Sequence, residues 1–144
     1  MSGIRVNTGA KQIEVNDNGD VIVLNLSDNA FVNRFFSLYE NMKKLAEESD
    51  EKEKEIREHY KDSSNDDALL RDTLDLYAQA GKKMKEEVDS LFGEGACKKI
   101  FGDITPAFEL YLDFFEQLTP YLQEFAKEKT QRLNKYSAAR TGNV

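Results

Sequence analysis

The sequence predicts a mainly α-helical (α+β) protein in which an N-terminal β-hairpin packs on a bundle of three to four α-helices. An Asn18-Gly19 pair separates two short runs of alternating apolar and polar residues, which is typical of a β-hairpin. From residue 27 onward, apolar residues recur every three or four positions, which is typical of amphipathic helices. The length of 144 residues fits a single domain over 1–144, and 40% hydrophobic with 33% charged residues suits a globular protein.

The β-hairpin region is predicted over residues 1–26. A two-residue turn at Asn18-Gly19 sorts the strand residues onto a largely apolar face and a mixed face. An isolated hairpin is marginally stable in water, so we expect the apolar face to pack on the rest of the protein. A short third strand is expected around Ile4 and Val6. The turn predicts that Val15 pairs with Ile22, Ile13 with Leu24, and Lys11 with Leu26.

The first helix is predicted over residues 27–62, with Ser27 or Asp28 as its N-cap. Its second half, residues 47–61, is highly charged and has few large apolar residues. We interpret that half as a solvated extension, which is either docked on the body or free. The first half carries an apolar stripe of Phe31, Phe35, Leu38, Met42 and Leu45.

The second helix is predicted over residues 64–92, where Ser64 begins an approximate capping box. Gly81 lies within its apolar stripe, although glycine costs about 1 kcal/mol relative to alanine inside a helix. Gly81 therefore either lets another helix approach closely or is simply tolerated. The stripe has near-heptad spacing and consists of Leu70, Leu74, Tyr77, Gly81, Met84, Val88 and Leu91.

A glycine-rich corner is predicted over residues 93–104, in the stretch LFGEGACKKIFGDITP. Gly93 or Gly95 ends the second helix, since glycine adopts the left-handed conformation found after helices. The run ACKKIF is expected to form a short helical turn with Ile100 and Phe101 pointing inward. Gly102 breaks this turn, and a new helix is predicted to start with Thr105 as cap and Pro106 as its first residue.

The last helical region is predicted over residues 105–136, and residues 137–144 are expected to be frayed. Pro120 follows Thr119 inside this region, so the chain either kinks there or starts a second helix. The region is rich in aromatic residues, which span more of the helix circumference than one core stripe requires. We predict that the part the core does not use is a partner surface. The candidates are Phe108, Tyr111, Phe114, Phe115, Leu118, Tyr121 and Phe125.

Enzymatic chemistry is disfavoured, and no cofactor or metal is expected. Nucleophilic catalysis by Cys97 needs a base, and the single histidine, His59, lies in a charged, solvent-facing segment. One cysteine and one histidine do not make a usual zinc site. The glycines of the corner match no phosphate-binding motif, and they follow a helix where such motifs follow a strand.

The charge distribution limits the partners. The net charge is −7, which disfavours nucleic-acid binding because phosphate contacts need clustered basic residues. From Lys127 onward, however, five basic residues outnumber one acidic residue, for a net +4. This basic stretch either contacts an acidic partner or complements the dipole of a helix C-terminus. With no membrane-spanning run, no secretion signal and a single cysteine, we expect a cytoplasmic location.

Two stretches carry a resemblance to a known family. They are GEGACKKIFGDITPAFELYLDFFEQLTPYLQEF and SDNAFVNRFFSLYENM, and the likeness extends over about residues 11–127. This pattern resembles a family of small proteins from tailed phages and prophages of Gram-positive bacteria, encoded in the tail module near the tape-measure gene. The resemblance implies a non-enzymatic tail-morphogenesis protein, similar to tail-assembly chaperones, with a tape-measure or other tail protein as partner.

A chaperone role is physically reasonable, since a long helical tape-measure protein has apolar stripes that must be covered before the tail assembles. Homo-oligomerisation through the same surface is an alternative use of that surface. Two other functions remain open. The alternatives to a chaperone are a structural tail component of the virion and an acidic phage inhibitor of a host or defence protein. The mixing of charge signs in EKEKEIREHYK disfavours the inhibitor.

Overall fold

The computed structural model describes residues 3–141, and side-chain environments over 3–137. It confirms the mainly α fold: within this range an antiparallel β-hairpin is followed by four helices. The chain divides after Phe108 into two compact units, so a single domain stays a prediction. The strands are β1 (Lys11–Glu14) and β2 (Val21–Leu24), and the helices are α1 (Asn29–Tyr60), α2 (Asp66–Phe92), α3 (Ala96–Phe101) and α4 (Phe108–Thr141).

The register of the β-hairpin differs from the predicted one by two residues. Ile13 pairs with Ile22, where the two-residue turn had paired it with Leu24. Residues 15–20 connect the two strands. Within this connection, the side-chain oxygen of Asn16 accepts hydrogen bonds from the backbone N–H groups of Asn18 (2.8 Å) and Asp20 (3.3 Å). The two-residue turn needs positive φ at both central residues, and only Gly19 adopts it (+83°).

The faces of the β-hairpin are nevertheless as predicted. Side chains alternate with a period of two, so a slip of two residues keeps the same face towards the core. Ile13, Ile22 and Leu24 are all buried. The predicted third strand is wrong: the sheet in the described residues has two strands, and Ile4 and Val6 are almost fully exposed. Neither of these two side chains has an apolar surface to cover it.

Helices α1 and α2 form an antiparallel helical hairpin. Asp28 is the N-cap of α1, as one of the two predicted alternatives, and its carboxylate accepts from the N–H of Ala30 at 3.0 Å. The N-cap of α2 is Asn65, not the predicted Ser64, because the Asn65 side chain accepts from the N–H of Ala68 at 3.1 Å. The buried residues along this hairpin are Phe35, Leu38, Met42, Ser49, Ala80, Gly81, Met84, Val88 and Leu91.

Gly81 admits a close approach, but the approaching group is not a helix. A Cβ atom at position 81 would lie 2.5 Å from the backbone carbonyl oxygen of Pro106. Pro106 itself is fully buried. This contact explains why α4 begins at Phe108 and not at Thr105-Pro106, since the chain around Pro106 is held against α2 in a non-helical conformation.

The corner between α2 and α4 depends on three glycines. Helix α2 ends at Phe92, and Gly93, Gly95 and Gly102 have φ values of +111°, +83° and +83°. Helix α3 lies between the last two. Its buried side chains are Ala96 and Cys97, whereas the predicted inward residues, Ile100 and Phe101, are only half-buried. The first turn of α3, not its last, therefore faces the core.

Helix α4 runs through Pro120 without a break in its helical assignment, so a second helix capped by Thr119 does not form. The hydroxyl of Thr119 donates to the carbonyl of Phe115 at 3.2 Å, a bond within the helix and not a cap. The helix continues to Thr141, so residues 137–141 of the predicted frayed tail are helical. Residues 142–144 lie outside the described range.

Candidate functional site

Cys97 and His59, considered above as a nucleophile and its base, are not brought together. Cys97 is buried, its N–H donates to a carboxylate oxygen of Asp89 at 2.8 Å, and its thiol faces the carbonyl of Lys85 at 3.7 Å. His59 is exposed and its ring packs edge-on against Tyr60 at the far end of the helical hairpin. Tyr60 bonds to Asp72, and the thirteen positions from Asp72 to Lys85 span about 20 Å of helix.

Two surface clefts are lined by polar groups that already bond to each other. A cleft of about 280 Å³ lies between α1 and α2, where Arg34 donates to the carbonyl of Ser90 and Asn41 donates to Glu87 at 3.1 Å. A wider cleft of about 630 Å³ lies between the β-hairpin loop and α3. There the Asn16 amide donates to the carbonyl of Lys99 at 2.9 Å. These contacts fasten α1 to α2 and the loop of the β-hairpin to α3.

Among residues 3–137, no group of three or more potential metal-ligating side chains lies close together. No helix in the described part of the chain is long and apolar enough to cross a bilayer.

The charged extension of α1 is docked on α2, which resolves an alternative that the sequence left open. Tyr77 donates to a carboxylate oxygen of Glu53 at 2.5 Å, and Tyr60 donates to Asp72 at 2.7 Å. The bond to Glu53 is the main reason why the pKa of Tyr77 is raised to about 12. The bond to Asp72 likewise raises the pKa of Tyr60. Both phenols therefore remain neutral donors at physiological pH.

A pair of exposed leucines lies on the outer side of this part of α2. Leu70 and Leu74 are one helical turn apart, and 58% and 60% of their surfaces are exposed. The sequence pattern places both leucines in the apolar stripe of the second helix. The signal that it missed is the composition of the facing helix, because residues 47–61 offer Ile56 and Tyr60 as their only large apolar side chains.

The same leucines lie in the most acidic part of the chain. We call residues 47–75, the end of the helical hairpin where α1 turns into α2, the acidic tip. It holds 12 acidic and 5 basic residues, a net charge of −7. Three of its basic side chains are paired within or just after α1, as Lys54 with Asp50, Arg57 with Glu53 and Lys61 with Glu58. In the part of the chain that the structure describes, no such pair neutralises Asp66, Asp67 or Asp75, which flank the leucines.

The predicted partner surface on α4 is largely buried. Of the seven candidate residues, Tyr121 alone is exposed, at 41% of its surface. A free surface made from all seven is therefore not present. The six buried candidates are Phe108, Tyr111, Phe114, Phe115, Leu118 and Phe125.

The apolar stripe of α4 continues beyond its buried part. Leu122, Phe125, Leu133 and Tyr136 follow Leu118 at spacings of three or four residues, or multiples of these, so they lie on the same side of the helix. Leu133 and Tyr136 are 59% and 66% exposed. The sequence analysis included both in the helical pattern without distinguishing them from the buried members, because the spacing is the same throughout.

This open part of α4 is basic. We call residues 126–137 the basic end. It holds Lys127, Lys129, Arg132 and Lys135 against Glu128, a net charge of +3. Among the described residues none of these four cations forms an ion pair. The protein thus carries two exposed apolar pairs on helices, Leu70 with Leu74 and Leu133 with Tyr136, in surroundings of opposite charge.

These features define a mainly helical protein that carries exposed apolar pairs on the surfaces of two helices. More particularly, the chain belongs to a family of unknown function, DUF6673, whose model matches residues 18–143. No curated protein matches the chain, and no solved structure does.

Proposed function

We propose that the protein is a non-enzymatic tail-morphogenesis protein of tailed phages, a tail-assembly chaperone that binds the helical tape-measure protein in the host cytoplasm. The observation that carries this proposal is the open apolar pair of α4, Leu133 and Tyr136. A helical partner with an apolar stripe can pack along such a helix face and so be shielded from water. The phage context comes from the resemblance of the corner and of the region around Pro120.

The burial pattern supports α4 as the element that binds. Single exposed apolar residues are ordinary on protein surfaces, but Leu133 and Tyr136 extend a stripe in which Leu118 and Phe125 are buried and Leu122 is half-buried. A partner helix that packs along the basic end would lengthen a packing surface that already exists. The basic residues around it favour a partner segment that is apolar and acidic, because opposite charges speed encounter and fix orientation.

Co-expression with the tape-measure protein encoded nearby tests the proposal. We expect the wild-type protein to keep the tape-measure protein soluble and to be recovered with it in a pull-down. The double variant Leu133→Gln, Tyr136→Gln should lose both effects. Leu112→Gln is the control, since Leu112 is exposed (42%) on the same helix but lies about 30 Å along the helix before Leu133. This control should behave like the wild type.

The chaperone proposal fails if the two proteins do not associate at micromolar concentrations. Mass spectrometry of purified virions then separates the chaperone from a structural tail component. A chaperone is absent from the mature particle, whereas a structural component is present at a fixed ratio to other tail proteins.

A further inference from the structure

We infer that the protein self-associates, and that the acidic tip of one copy binds the basic end of α4 in a second copy. This contact goes beyond the proposed function, since it needs no tape-measure protein. Each surface offers two large apolar side chains that water covers in the single chain. Leu70 and Leu74 form one pair, and Leu133 and Tyr136 form the other.

Charge complementarity selects the second copy as the occupant. On the tip, Asp66 and Asp67 lie one turn before Leu70, and Asp75 directly follows Leu74. On the basic end, Lys129 and Arg132 lie within one turn before Leu133 and Tyr136. Each surface by itself repels a copy of itself, because its charged neighbours have mostly one sign. Contact between a tip and a basic end brings net charges of −7 and +3 together and covers both apolar pairs.

The charges on both surfaces are available for such a contact. The paired cations of the tip bond to acids of α1, so beside the leucines on α2 the acids Asp66, Asp67 and Asp75 outnumber the one nearby cation, Arg71. Opposite charges at the edge of an apolar contact set the rate and orientation of association, while the apolar side chains supply most of the affinity. Because the tip and the basic end are different surfaces of the same chain, the contact is heterologous.

Sedimentation velocity of the full-length protein alone, over a range of concentrations, tests the inference. At low ionic strength we expect the mean mass to rise with concentration above that of the single chain, and about 0.5 M salt should reduce it, since salt screens exposed charges. A protein that stays monomeric at all concentrations, or whose mass does not respond to salt, would overturn the proposal.

Three variants locate the contact. Leu70→Gln with Leu74→Gln, and separately Arg132→Glu with Lys135→Glu, should each weaken association by about tenfold or more. Lys82→Glu with Lys83→Glu is the matched control, because it makes the same change of charge at exposed positions of α2 outside the tip. Association of this control should equal that of the wild type, and an equal loss in the control would contradict the assignment.

A mixture of two variants distinguishes a specific contact between the tip and the basic end from general charge repulsion. Asp67→Lys with Asp75→Lys places two lysines beside the leucines and reduces the net charge of the tip from −7 to −3, so this variant should also be monomeric when alone. A mixture of this variant with Arg132→Glu, Lys135→Glu should associate again, since the unaltered basic end of the first variant then meets the unaltered tip of the second. If the mixture stays monomeric, the tip and the basic end are not partners. None of these experiments includes the tape-measure protein, so their failure leaves the chaperone proposal standing, and the reverse also holds.

Discussion

The two halves of the helical hairpin are held together by different interactions. Near the β-hairpin, the contact between α1 and α2 consists of buried apolar side chains such as Met42, Met84 and Val88. Towards the acidic tip, the same two helices are joined by phenol–carboxylate hydrogen bonds, from Tyr77 to Glu53 and from Tyr60 to Asp72.

The difference shows that one continuous helix pair can combine two kinds of stabilisation. Burial of apolar surface contributes about 25 cal/mol per Å², whereas a hydrogen bond contributes about 1 kcal/mol net. The apolar half therefore supplies most of the stability. The polar half fixes how the helices are aligned, and it leaves Leu70 and Leu74 more than half exposed.

Met84→Ala should have the largest effect, because Met84 is fully buried in the apolar half. Truncation removes apolar contacts and leaves a cavity, which costs about 2–5 kcal/mol. Urea denaturation followed by far-ultraviolet circular dichroism measures the loss. Lys82→Ala, at an exposed position two residues away, should change the free energy of unfolding by about 0.5 kcal/mol or less. Similar losses for the two variants would mean that the apolar half is not the main source of stability.

Gly81→Ala should have an intermediate effect, with a net destabilisation of up to about 2 kcal/mol. Alanine gains about 1 kcal/mol of helix propensity over glycine. The new Cβ, however, would lie 2.5 Å from the carbonyl oxygen of Pro106, and overpacking of this kind costs about 1–3 kcal/mol. Ala78→Gly on the exposed side of α2 measures the propensity contribution by itself. A Gly81→Ala protein about 1 kcal/mol more stable than the wild type would show that the chain around Pro106 moves away without cost.

Tyr77→Phe should have the smallest effect of the three, about 1 kcal/mol, because it removes one hydrogen bond in the polar half. Its pH dependence is more informative. The pKa of Tyr77 is raised from 10.0 to about 12, so the folded protein retains the phenolic proton more strongly than the unfolded chain. The stabilisation from this bond is fully present below about pH 10 and is lost as the pH rises through about 12.

Equilibrium unfolding at several pH values between 10 and 12 should therefore show a shallower fall of stability in Tyr77→Phe than in the wild type. Ala78→Gly serves as the control, since it changes no ionisable group and its fall of stability with pH should match that of the wild type. Parallel curves for Tyr77→Phe and the wild type would mean that the bond to Glu53 contributes little in solution.

The ends of the helices were predictable from the sequence where the residue that caps or ends a helix is close in sequence to the group that it affects. The side chain of Asp28 caps α1 two residues away, and Gly93 ends α2 at its own position. The apolar faces of the β-hairpin were also predictable, because alternation survives a slip of two residues. The register itself was not, since Asn16 organises a longer loop through its side chain and competes with the Asn18-Gly19 turn.

The exposure of apolar side chains on α2 and α4 depends on residues that are distant in sequence. This exposure was therefore the least predictable feature. The spacing of Leu70 and Leu74 is that of core residues, and their exposure follows from the polar helix opposite them. The stripe of α4 likewise has one period throughout, and the pattern contains nothing to mark where burial ends after Phe125. Periodicity identifies the apolar side of a helix, but only the tertiary structure shows which part of that side is covered.

The contact at Gly81 has an evolutionary consequence. The group that excludes a side chain at this position is a main-chain oxygen, which every amino acid at position 106 would also present. Substitution at 106 therefore cannot relieve the constraint. Among the relatives of this chain, glycine should persist at position 81 for as long as the backbone follows the same path, whichever residue occupies position 106.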